Sequence, residues 1–223
     1  MLTEIQKMWQ IFAVSKDSVL ELRALWPKGI GENRAPVFRH FNAANFASKS
    51  KMKEAFETDA LDLNGQGFNV YIVMNPIRSD FTGPGCAKDA DIIFRDLLLI
   101  DIDRLGDTSQ PASQGELDEA EALATVVEQA LSDEGWGQPI KMMSGNGFHL
   151  YYVLEDVPND EESTALIRDT LKNLAATFNT ETIGIDTTVS NASRITKVPG
   201  SIMRKGIETA DRPYRMAKVV ERE

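Results

Sequence analysis

The run Leu97-Leu98-Leu99-Ile100 constrains this chain more than any other feature. Four consecutive apolar residues leave no polar face, so a strand built from them is buried on both sides. Asp101-Ile102-Asp103 follows at once and ends the apolar stretch with two acids on alternate positions. The pattern beyond it repeats strand and helix in turn. Ser113 with Glu116 forms a capping box that opens a helix to about Leu131, with Leu117, Ala120, Leu123, Ala124, Val127 and Leu131 on its inner face. Two strands, 140–143 and 148–154, are joined by Ser144-Gly145-Asn146-Gly147. Asn159 or Asp160 caps a second helix with Leu166, Ile167, Leu171, Leu174 and Phe178 on one face, and a short strand at 182–185 closes the series. The order is β-α-β-β-α-β, the ferredoxin-like or RNA-recognition-motif topology.

Upstream of this unit the pattern predicts a smaller α/β lobe. Residues 3–13 and 17–25 read as short helices, through Ile5, Met8, Trp9 and Phe12 and through Val19, Leu20 and Leu22, with Asp17 or Ser18 capping the second. Residues 37–41 and 68–74 read as strands. Residues 44–61 read as a helix exposing Lys49, Lys51 and Lys53. The loop 78–89, with Gly83-Pro84-Gly85, marks the boundary. The expected organisation is an N-terminal α/β lobe, 1–86, and an RNA-recognition-motif-like lobe with a basic C-terminal segment, 87–223, together one α/β (α+β) catalytic domain.

Composition narrows the function. Of 223 residues, 42% are hydrophobic and 26% charged, ordinary for a globular domain. No stretch approaches the 18 apolar residues of a membrane span, and Met1–Gln10 lacks a signal-peptide core, so no membrane partner and a cytoplasmic location are expected. The single cysteine, Cys86, with only His40 and His149 beside it, excludes a disulfide and a Cys-rich zinc module. Thirty-four acids against 24 bases argue against coating nucleic acid by bulk charge. The charge is uneven, however. Residues 104–134 hold eight acids and one base, whereas 187–218 hold seven bases and two acids.

Three elements carry candidate chemistry. Asp101 and Asp103, two apart at a strand end, project from one face and repel unless a divalent cation lies between them; Mg²⁺ or Mn²⁺ suits such oxygen ligands. Asp-x-Asp alone fits a strand ending in solvated acids equally well. In Ser144-Gly145-Asn146-Gly147-Phe148-His149, glycines let backbone amides approach a phosphate, and strand alternation sets His149 on the face of Tyr151. The third element is Ile185-Asp186 followed by Arg194-Ile195-Thr196-Lys197-Val198-Pro199-Gly200 and Arg204-Lys205-Gly206. Asp186 ends a strand that neighbours the first in this topology, and Arg194 and Lys197 suit a triphosphate. A β-hairpin with surface bases accounts for that segment alone as well.

As an ordered set, over roughly residues 87–206, these elements resemble the archaeo-eukaryotic primase superfamily, in particular the primase-polymerases of phages, plasmids and mobile elements. The match lies in Leu99-Ile100-Asp101-Ile102-Asp103, in Gly147-Phe148-His149 and in Ile185-Asp186 with Arg194 to Gly200. One departure is Gly147, where the family often has Ser two residues before its His. The resemblance implies a two-lobed DNA primase/polymerase catalysing template-directed nucleotidyl transfer. Asp101, Asp103 and Asp186 would hold two Mg²⁺ or Mn²⁺ ions without zinc. His149, Arg194 and Lys197, with Ser144 and Lys205, would bind the incoming dNTP or NTP. A single-stranded DNA template and a helicase or other replication domain are the implied partners. The alternatives are a metal-dependent phosphohydrolase with Asp101 as nucleophile and a non-catalytic replication-initiator module. Phosphohydrolases usually place Thr or Val four residues after the nucleophile, where this chain has Leu105. For a −10 chain to hold a template, the bases of 187–218 and Lys49, Lys51 and Lys53 should line one face, with the acidic helix on the opposite one.

Overall fold

A computed structural model of the chain describes residues 2–12 and 18–221. It begins with a short helix, α1 (Glu4–Lys7), continued by a 3₁₀ turn, Met8–Gln10, that buries Ile5, Met8 and Phe12. The expected helix over 17–25 is instead strand β1 (Ser18–Leu25), and the cap proposed at Asp17 lies outside the described residues. The reason is visible in its pairing. Leu20, Leu22 and Ala24 alternate with Glu21 and Arg23, a period of two that the apolar spacing alone does not separate from a helix. Pairing on both edges selects the strand: β2 (Val37–Asn42) lies on one side and β3 (Asn69–Val73) with β4 (Ile77–Arg78) on the other, all antiparallel.

Helix α2 (Lys49–Gly65) covers one face of this sheet. It starts five residues later than expected, at the Ser48 cap, because Ala43–Asn45 forms a 3₁₀ turn capped by Asn42. Met52, Phe56 and Ala60 of α2 share one core with Leu22, Ala24, Val70 and Ile72 of the sheet. Glu21, Arg23 and Tyr71 therefore lie on the other face. There Glu21, fully buried, accepts from Ala87 N–H at 2.6 Å, pairs with Arg23 and lies 3.0 Å from His40 Nε2, tying the 79–88 loop to the sheet.

The second lobe follows the expected order. It runs β5 (Phe94–Arg104), α3 (Gln114–Asp133), β6 (Ile140–Met143), β7 (Phe148–Pro158), α4 (Glu161–Phe178) and β8 (Ile183–Ile185). The Ser113–Glu116 capping box is present, and Asp160 is the cap of α4. Both helices bury the expected apolar residues except Phe178, which is half-buried, and Leu166, which is 67% exposed. Beta5 is an interior strand, flanked antiparallel by β7 and β8, and Leu97, Leu98, Leu99 and Ile100 are all buried. Burying a side chain of that size contributes about 1.5–3 kcal/mol.

After β8 the chain crosses back. Strand β9 (Ile195–Lys197) pairs with β3 of the first sheet, not with a hairpin partner of its own. Strands β10 (Ile202–Met203) and β11 (Arg215–Met216) form a small ribbon, and β12 (Lys218–Val219) extends the second sheet beside β6. The sheets thus run β2-β1-β3-β9 and β12-β6-β7-β5-β8, and the chain after residue 87 completes both. One apolar core spans the two lobes. Among the described residues no helix is long and apolar enough to cross a membrane.

Candidate active site

The site is built at the carboxyl end of β5. Strand alternation sends Leu98, Ile100 and Ile102 to the face of α3 and α4, and Leu99, Asp101 and Asp103 to the opposite face. Beta8 pairs alongside and continues into Asp186, whose N–H donates to the Asp101 carbonyl at 2.8 Å. On the other flank His149 of β7 stands directly across from Asp101, with Nε2 3.3 Å from Asp101 Oδ1. Three adjacent strands thus set the backbone of Asp186, the Asp101–Asp103 pair and His149 side by side, while the Asp186 carboxylate turns to Thr188.

His149 is fixed from behind. Its Nδ1 is hydrogen-bonded to Tyr151 Oη at 2.8 Å and to Thr196 Oγ1 at 3.1 Å, and those two oxygens are 2.6 Å apart. Burial pushes the Tyr151 hydroxyl far above the usual phenol range, so it stays protonated. Nε2 is buried yet has no aligned hydrogen-bond partner, which leaves a polar atom aimed at the acid face unsatisfied.

The two acids of β5 sit in different fields. Burial pushes Asp101 up, but the neighbouring His149 first, with Lys197 and Arg194, outweighs it and holds the carboxyl at about 2. Burial raises Asp103, and the Asp101 charge adds to the rise against the pull of Lys197 and Lys205. Asp186 Oδ1 accepts from the Thr188 backbone N–H at 2.8 Å and from its hydroxyl at 2.7 Å. Among the described residues no three acids, histidines or cysteines form a ready metal cage. The donor types nevertheless fit a hard divalent ion, and the raised Asp103 beside a charged Asp101 is a repulsion that a cation relieves.

The turn before β7 explains its own sequence. Ser144 N–H donates to the Gly147 carbonyl at 2.8 Å, and Gly147 N–H donates to Ser144 Oγ at 3.2 Å. A Cβ on Gly147 would lie 2.1 Å from the Ile102 carbonyl oxygen, so the β5 backbone excludes a serine there. The nearest hydroxyl of the turn is that of Ser144, 3.5 Å from Lys197 Nζ. Lys197 arrives from the first sheet, opposite Tyr71. Arg194 donates to the Thr188 carbonyl, and its Nε is buried without a partner. Half-buried Lys205 has its pKa lowered by burial, against the Asp103 charge.

Lys197 and Lys205, but not Arg194, border a cleft between the outer face of the first sheet and the Ser144–Gly147 turn. Lys28, Tyr71, Asn146 and Arg204 line it with Lys197 and Lys205. Sequence reasoning did not mark Lys28 or Tyr71 as site residues, and named Arg204 only as part of a basic segment. Tyr151 carried a signal, being two residues from His149 on one strand face, whereas Lys28 stands in a loop with no motif. The expected position of Lys49, Lys51 and Lys53 on this face is overturned: they belong to α2, on the other side of the first sheet.

The segment after β9 straps the cleft. Asn64 clamps Ile202 and Asn69 clamps Arg204, each through two amide–backbone hydrogen bonds of 2.7–2.9 Å. Gly206 N–H donates to the Lys28 carbonyl at 3.0 Å, and a Cβ on Gly206 would meet Ser109 O at 2.1 Å. Glu116 binds Arg212 at 2.6 and 3.0 Å and Arg104 at 2.7 Å. Arg212 foremost, with the Ser113 amide and Arg104, outweighs burial and holds Glu116 at about 2.

No family model matches the chain, and no curated protein is significantly similar to it in sequence. Among solved structures, the polymerase domain of Mycobacterium tuberculosis ligase D in complex with DNA is similar to it, with a TM-score of 0.51 over 91% of this chain and 75% of that one, at 14% identity. The likeness is one of fold: mixed α/β with antiparallel sheets, consistent with a primase-polymerase core.

Proposed function

We propose that this chain is a template-directed nucleotidyltransferase, a DNA primase/polymerase that joins nucleoside triphosphates on a DNA template. The observation that carries the reading is the convergence of Asp101, Asp103, Asp186 and His149 from three neighbouring strands, faced by Lys197 from the other lobe. The fold shared with a polymerase domain solved in complex with DNA supports it.

In this reading Asp101, Asp103 and Asp186 are the residues that would hold two Mg²⁺ or Mn²⁺ ions. Bound there, such ions would supply activation of an attacking 3′-hydroxyl and charge stabilisation for a departing pyrophosphate. Lys197, Lys205 and Arg194 grip the triphosphate, and Ser144 orients Lys197. His149, held by Tyr151 and Thr196, offers its unsatisfied Nε2 to a phosphate oxygen. Positioning and charge stabilisation supply most of the rate in such chemistry. Incubation with a primed template, labelled nucleotides and Mg²⁺ or Mn²⁺ tests the reading. Polymer growth supports it; release of free phosphate without growth assigns a phosphohydrolase, and template binding without either assigns a non-catalytic module.

A further inference from the structure

Four bases line the cleft, Lys28, Lys197, Arg204 and Lys205, and no carboxylate lines it with them. Among the described residues none of the four forms an ion pair. In a chain with 34 acids and 24 bases, an unpaired basic cluster is where a polyanion finds net attraction. Lys197 and Lys205 act on Asp103. Lys28 is exposed on the loop between β1 and β2 and is not among the charges that act on either acid.

The same loop carries a stacking platform. Trp26, which lines the cleft, donates its indole N–H to the Ile30 carbonyl at 2.8 Å and meets Phe68 edge-to-face at 5.2 Å. Exposed Arg34 lies over both rings, 4.8 Å from the Trp26 centroid and 4.6 Å from that of Phe68. Among the described residues Arg34 also forms no ion pair, and its guanidinium donates to the Gln66 carbonyl at 3.3 Å. A guanidinium held 4.8 and 4.6 Å from two ring centroids, with no ion pair among the described residues, suits a stacked, unpaired base and a phosphate beside it.

We propose that Lys28 and the Arg34–Trp26–Phe68 stack form a docking surface for single-stranded nucleic acid at the cleft. The surface rests on the nucleotidyl-transfer reading only in that the bound strand is then the template. Charge alone would also attract an acidic polypeptide; the stack favours bases. Lys49, Lys51 and Lys53, behind the sheet on α2, take no part.

The test is fluorescence anisotropy of labelled single strands, deoxyribo and ribo in separate arms, over a salt series without nucleotide or divalent ion. Lys28→Ala and Arg34→Ala should each weaken binding by about 3- to 10-fold at low salt and flatten the log–log salt slope by about 0.7. Arg34→Lys should keep the slope and lose affinity, and an abasic strand should bind the wild type more weakly than a strand with bases. The triple Lys49/Lys51/Lys53→Ala variant should bind as the wild type does. Wild-type affinity in Lys28→Ala and Arg34→Ala, equal binding of the abasic strand, or equally tight binding of polyglutamate overturns the proposal. Incorporation on a primed template is scored separately in the wild type. Incorporation with binding insensitive to both substitutions removes this surface and leaves the enzymatic reading; sensitive binding without incorporation does the reverse.

Discussion

Asp101 and Asp103 are two residues apart on one strand, yet their surroundings make opposite demands. Asp101 is held at about 2, so its stabilising effect is complete above the ordinary carboxylate value near 3.9 and is lost as pH falls through about 2. Its side chain is a quarter exposed, which limits that effect to on the order of 1–2 kcal/mol. Asp103 is pushed the other way, so neutralising it removes a repulsion. Asp103→Asn should therefore melt at or above the wild-type temperature without metal, lose any Mn²⁺-induced rise in melting temperature, and lose synthesis by at least ~10²-fold. A clear drop in apo stability would show that Asp103 has a structural partner instead. His149→Ala should weaken nucleotide use by about 10- to 150-fold whatever the base, the scale of one charged hydrogen bond; steady-state kinetics with each nucleotide checks it. The face of His149 was legible from strand alternation. The reason for Gly147 was not, because it depends on the backbone of Ile102, distant in sequence. Gly147→Ser, which restores the residue common in the resembled family, should lower stability by about 1–3 kcal/mol in urea melts.

At the scale of elements, the second lobe was legible because its helices and strands are long enough for their period to show. The capping box at Ser113 and the cap at Asp160 fixed where the helices begin, and the β-α-β-β-α-β order then set β8, and with it Asp186, beside β5. The shorter pieces were not. Beta1 satisfies helical and strand spacing at once, and pairing decided it. Beta9 has three residues, too few for any period, so nothing in the sequence announced that Lys197 reaches the site from the first sheet. The strap that carries Lys205 depends on Glu116, which joins the start of α3 to Arg104 and Arg212. Glu116→Gln keeps a residue able to serve the capping box and removes the charge from both pairs. It should cost on the order of 1–3 kcal/mol near neutral pH. The difference from wild type should shrink as pH falls from about 4.5 toward 2, where Glu116 itself becomes protonated. Urea melts across that range check this, and a difference that does not vary with pH would place the role of Glu116 in packing, not charge.

For the whole molecule, acids and bases are segregated, as the proposed function requires of a chain with excess acid. Helix α3, which carries Glu116, Asp118, Glu119, Glu121, Glu128 and Asp133, covers the face of the second sheet turned away from Asp101 and Asp103, while the cleft beside those acids is lined by bases. Few phosphates can be contacted at once, about 2–4, so single-strand affinity should be weak and should fall with salt at a log–log slope of about −1.4 to −2.8. Nanomolar binding at physiological salt, without nucleotide or partner, would mean a larger basic surface than this fold presents. The central claim, that the acids at the end of β5 and β8 with the bases across the cleft perform template-directed nucleotidyl transfer, is tested most directly by extension of a labelled primer on a defined template. With Mg²⁺ or Mn²⁺ and all four nucleotides, the wild-type chain should lengthen the primer in the order the template dictates, and Asp101→Ala should do so at least ~10²-fold more slowly. Undiminished extension by Asp101→Ala, or no extension by the wild type with either metal, would contradict the account.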